Sequence, residues 1–143
     1  MRFVLTAFAG WVLPIVLSVC LVSIRLFGDQ IGEVEGGLMP VVSQIEDVTI
    51  ISADGGIVIS GNATKMRDCD WRKTVFSLGD RSGGNIILTE TPHKDKPTVN
   101  GPGVLHWDNI FVPISHERMG AVFADAYHQC GWRPWLTISR FYN

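Results

Sequence analysis

The pattern of hydrophobic and polar positions divides the chain into two unlike parts. From Phe3 to Ile24 no residue is charged, and the polar members are only Thr6, Ser18 and Ser23. Nothing charged breaks this run and a helix over it has no polar face, which argues against a buried helix of a soluble protein. At 1.5 Å per residue it rises about 33 Å, enough to cross a hydrocarbon core of about 30 Å. The run therefore predicts a transmembrane signal anchor within residues 1–27, meeting the lipid bilayer through residues 3–24. Pro14 predicts a kink, which membrane helices tolerate. A cleaved signal peptide competes with this reading, because Ser18-Val19-Cys20 offers small residues. The apolar core continues past that site through Leu21, Val22 and Ile24, which favours an uncleaved anchor. A lipoprotein signal ending at Cys20 is disfavoured by Val19 before the cysteine.

Residues 28–43 read as a juxtamembrane linker. Gly28, Gly32, Gly36 and Gly37 discourage a helix, Asp29, Glu33 and Glu35 solvate the chain, and Pro40 closes it. Residues 44–143 then read as one extracytoplasmic domain of short strands. Val48–Ala53 is rich in β-branched residues and ends in the turn signal Asp54-Gly55-Gly56. Ile57–Ser60 returns and Gly61-Asn62 closes it. Strands are also predicted over Trp71–Leu78, Asn85–Glu90, Val104–Val112 with a break near Asn109, and Trp135–Tyr142. Arg81–Gly84 is a predicted turn and Thr91–Gly103 a proline-rich loop. Ala121–Cys130 fits a strand slightly better than a helix started by Ser115 and stopped by Gly131.

Counting that segment as a strand gives about seven, which predicts an all-β fold, an immunoglobulin-like β-sandwich behind one N-terminal transmembrane helix. Cys69 and Cys130 are a predicted disulfide that would clip the two sheets together. The likeness is architectural. Trp71 follows Cys69 by two residues instead of about a dozen, and Tyr127 precedes Cys130 by three instead of two. A small barrel or a sheet crossed by one helix also fits the pattern.

Composition narrows the function classes. The chain has 143 residues, 46% of them hydrophobic, which allows about one domain and disfavours a disordered chain. Its 12 basic and 14 acidic residues give a net charge of −2, which disfavours nucleic acid as a partner. Without Arg2 and Arg25 of the anchor, 10 basic residues remain against the same 14 acidic ones, so the exported part is near −4. Arg2 and the α-amino group place the N-terminus in the cytoplasm, and the domain in the periplasm or outside the cell. A cysteine pair suits that oxidising space.

Candidate chemistry is sparse. His106 and Asp108 share a strand face, and with His128 they make the one metal-site candidate, the basis of an alternative reading as a metal-dependent enzyme. The spacing is weak, so no cofactor or metal and no enzymatic activity is expected. Ser115-His116-Glu117 holds triad residue types, but sequence neighbours point apart and no nucleophile elbow is present. Trp107, Trp132, Arg133 and Trp135 concentrate near the C-terminus. Such aromatics are either core packing or an exposed binding surface for an unknown protein partner or a glycan. A third reading is an accessory subunit of a membrane complex, with Ala7, Ala9, Gly10, Pro14 and Cys20 packed on other helices.

Arg67-Asp68-Cys69-Asp70-Trp71 and His128-Gln129-Cys130, followed by Trp135, Thr137 and Phe141-Tyr142, resemble small uncharacterised proteins encoded by phages and prophages of Gram-negative bacteria. The resemblance spans residues 65–143. It implies a bacterial periplasm or a virion as the setting, and no activity or site residue. The expected role is binding or structural, in the cell envelope or a phage context.

Overall fold

The computed structural model describes residues 2–79, 86–91 and 101–142. A single helix, α1 (Arg2–Leu38), leads into seven strands: β1 (Glu46–Ala53), β2 (Gly56–Lys65), β3 (Asp70–Leu78), β4 (Ile86–Thr91), β5 (Gly103–Val112), β6 (Val122–Gln129) and β7 (Thr137–Tyr142). They form two antiparallel sheets, ordered β1-β2-β5 and β4-β3-β6-β7. The ambiguous segment 121–130 is thus a strand, preceded by a short 3-10 turn at His116–Ala121. The predicted turn Arg81–Gly84 and residues 92–100 of the predicted loop lie outside the described residues.

The turn chemistry acts where the pattern placed it. Asp54-Gly55 links β1 to β2, with Gly55 in the left-handed region at φ 78°. Asn109, at φ 54°, marks the predicted break in β5, and its N–H donates to Ser60 Oγ across the irregularity. Gly61-Asn62 is a correction. β2 runs through it to Lys65 as a bulged strand, and Gly61 leaves the room that the Ile45 side chain occupies.

One core lies between the sheets. Ile57, Ile59, Leu105 and Trp107 come from the first sheet, and Phe76, Ala124, Ala126 and Phe141 from the second. Trp107 stacks on Phe141 at 4.8 Å between ring centroids, and Phe76 meets Phe141 edge-on at 6.2 Å. Residues 41–45 stitch the sheets at one side. Ser43 N–H donates to Thr64 O and Met66 N–H to Val41 O, while Val41 N–H donates to Ser139 Oγ and Ile45 N–H to Phe141 O.

The disulfide Cys69–Cys130 is present, with Cα atoms 4.4 Å apart. Its position differs from the expectation. Cys69 lies just before β3 and Cys130 just after β6, and these strands pair Asp70 with Gln129. The bridge therefore secures two neighbouring strands of one sheet and does not clip sheet to sheet. Closing a loop of 61 residues still stabilises the domain by about 4 kcal/mol in the chain-entropy model.

The larger correction concerns residues 28–38. They are not a linker: α1 is continuous for 37 residues, through all four glycines. Each glycine costs a helix about 1 kcal/mol relative to alanine, so packing must offset that cost. Gly28, Gly32 and Gly36 recur every four residues and share one helix face. That face lies against β7, the edge strand of the four-stranded sheet, and the stretch leading into it. A Cβ at Gly32 would collide with the carbonyl oxygen of Leu136, and one at Gly36 with that of Ile138. At Gly28 it would meet Trp135 Cβ at an ordinary 3.7 Å. The glycines thus let the helix backbone approach the strand backbone and cover an edge that would otherwise invite foreign strands.

The apolar part of the same helix is uncovered. Leu13, Ile15, Leu17 and Leu21 are all more than half exposed, and the helix is long and apolar enough to cross a membrane.

Gly36→Ala is expected to destabilise the domain by about 1–3 kcal/mol through overpacking. Gly37→Ala, whose Cβ meets open space, is expected to be neutral or stabilising by up to about 1 kcal/mol. Thermal unfolding of both variants in detergent checks the contrast.

Candidate functional site

Helix docking assembles a polar cluster around Glu35. Glu35 is the residue before Gly36, so its side chain leaves the helix beside the close contact with β7. Its side chain is only 9% exposed. Arg67 Nη2 and Arg133 Nη1 both reach its Oε1, at 2.9 and 2.8 Å. Trp135 Nε1–H donates to its Oε2 at 2.9 Å. Arg67 also donates through Nη1 to the Met39 carbonyl at 2.7 Å, which caps the end of the helix. One carboxylate therefore joins α1 to the β2–β3 and β6–β7 connections. Burial pulls the Glu35 carboxyl upward, but the Trp135 indole, the Arg67 guanidinium and the Arg133 charge outweigh it and hold it below the usual value.

The direction of docking identifies an end of the domain. Along α1, Gly28 faces Trp135, Gly32 faces Leu136 and Gly36 faces Ile138. Toward its N-terminus the helix thus runs past the start of β7, and the apolar segment departs from that end. The β2–β3 and β6–β7 connections lie there, tied together by Cys69–Cys130. Between them, over the disulfide, lies an open groove of about 470 Å³ bordered by Arg67, Trp132 and Arg133.

The four residues expected at a binding surface separate. Trp107 belongs to the core, 5% exposed, and is withdrawn from that surface. Its place follows from alternation, since Leu105 and Trp107 face inward while His106 and Asp108 face out. Trp135 and Arg133 are committed to Glu35. Trp132 stands clear of the domain at 93% exposure.

The metal candidate is also corrected. His106 and Asp108 are exposed on β5, where Asn62 Oδ1 lies 2.6 Å from His106 Nδ1. His128 is on β6 in the other sheet, 1% exposed. The three do not meet, and no group of three or more His, Cys, Asp or Glu among the described residues could hold a metal ion. Burial, then the nearby Lys65 charge, pushes His128 down to about 4, so its imidazole is neutral at pH 7. Its Nδ1 has no hydrogen-bond partner among the described residues.

The sequence signal for the Glu35 cluster was the four-residue spacing of the glycines, which brackets an acid on a helix face. No family model, curated protein or solved structure matches this chain.

Two pH effects follow. His128 binds a proton more weakly folded than unfolded, so its contribution is complete above about pH 6.5 and declines as pH falls towards 4. The loss is about 3 kcal/mol. His128→Gln is expected to flatten thermal stability across that window. Glu35 contributes above the ordinary carboxylate value of about 4.3, and that contribution fades as pH falls through its lowered folded value. Glu35→Gln is expected to cost about 1–3 kcal/mol at pH 7 and to lack this more acidic limb in the same unfolding series.

Proposed function

We propose that this protein is a single-pass membrane protein that holds a β-domain rigidly at the outer side of a membrane, in a binding or structural role. One observation carries the reading. The apolar helix continues without a break onto the sheet edge, where Gly32, Gly36 and Glu35 fix it to β7 and its approach. A tether would let the domain wander. A docked helix sets its orientation relative to the bilayer.

The disulfide supports an oxidising compartment. Arg2 before the span supports a cytoplasmic N-terminus. The strand order supports an immunoglobulin-like sandwich in which the fourth strand has joined the sheet of the third, sixth and seventh. The resemblance of residues 65–143 to phage and prophage proteins supports a Gram-negative envelope or a virion as the setting. The separation of His106 and Asp108 from His128 weighs against the metal-dependent enzyme.

In a Gram-negative host the protein is expected to stay in the membrane pellet after alkaline carbonate. Cys69 and Cys130 are expected to react with a membrane-impermeant maleimide in intact spheroplasts only after reduction. Release by carbonate, or native thiols reached only after lysis, would overturn the reading.

A further inference from the structure

The end of the β-domain from which the span departs carries an apolar rim. Trp132 is 93% exposed, Met66 46% and Val104 54%. All three sit at this end. Met66 follows β2, Val104 pairs with Thr64 near the end of that strand, and Trp132 is in the β6–β7 connection. A lone exposed apolar side chain needs no explanation. Three on the face turned towards an apolar span do, because docking fixes how far that face lies from the bilayer.

The distances decide what the rim meets. From Ile24, the last residue of the span, to Gly28 the helix rises about 6 Å. Gly28 packs on Trp135, and three residues of chain, at most about 10 Å, separate Trp135 from Trp132. The headgroup layer on each side of the hydrocarbon is about 5–7 Å thick. The β6–β7 connection therefore lies within reach of that layer, where tryptophan is enriched because its ring is apolar and its N–H polar. The chain on both sides of Trp132 is tied down, by the disulfide at Cys130 and by Gln129 Nε2 donating to the Arg133 carbonyl.

We infer that this end of the domain rests in the headgroup layer, with Trp132 as a second, interfacial anchor beside the transmembrane helix. The inference rests on the membrane-anchored reading above. The anchor is sequence-independent membrane contact, and its partner is a phospholipid surface instead of a protein.

The test uses the intact protein and its Trp132→Phe variant in phosphatidylcholine vesicles, with and without lipids brominated near the headgroup end of the acyl chain. The difference between the two proteins isolates Trp132 emission, and flotation with the vesicles reports insertion independently. Trp132 emission is expected to fall by about twofold or more with brominated lipid, as for a ring at the interface, and to resist aqueous acrylamide. Trp132 emission untouched by bromine and open to acrylamide, in protein that floats with the vesicles, would overturn the inference and leave the anchor intact. That result would turn the rim into a protein-binding surface. Protein that fails to float with the vesicles would overturn the anchor and the inference together.

Discussion

The close approach of α1 to the edge of the four-stranded sheet is the contact on which the rest of this structure depends. It is a backbone-to-backbone contact. Leu136 and Ile138 present their carbonyls to a helix face that has no side chains at Gly32 and Gly36. Without glycine at these positions the helix could not reach the strand, Glu35 could not enter between Arg67, Arg133 and Trp135, and the strand edge would stand open. The ion pairs alone would not create such an arrangement. A carboxylate with two partly exposed arginines gains little in water, and its value here comes from the packing that buries the Glu35 side chain.

The two ends of the chain share one unit as a result. Residues 28–45 contact β2 and β7, so the segment between the apolar stretch and the strands belongs to the domain. It completes one sheet's edge with a helix and then crosses to the other sheet as extended chain. Long cationic side chains cover the outer face of the four-stranded sheet. Lys73 lies over Tyr127 at 5.0 Å, and Arg140 over Phe123 at 4.3 Å while also meeting Asp125. The outer face of the three-stranded sheet is barer, with Ile51, Val58 and Phe111 aligned across β1, β2 and β5.

Local signals made much of this legible in the amino-acid order. Runs of β-branched residues, the Asp54-Gly55 turn and the break at Asn109 are decided within a few residues, and the strands lie near where those signals put them, except that β2 runs on through Gly61-Asn62. The Cys69–Cys130 pair followed from count and compartment. What misled was a property of a single segment read without its neighbour. Glycine disfavours a helix in isolation, and only the sheet edge reverses that preference at Gly28, Gly32 and Gly36. Residue type likewise hid the roles of Trp107 and His128. Their strand positions settle them, because Trp107 shares the inward side of Leu105, and His128 that of Ala124 and Ala126.

The docking also joins parts of the chain far apart in sequence. Helix residues 28–38 find their seat on Trp135–Ile138, about a hundred positions later in the chain. Seating the helix on that strand is therefore a closure of the long-range kind that slows folding. A chain lacking Trp135–Ile138 would be left with an unseated helix, its glycine face at Gly28, Gly32 and Gly36 uncovered.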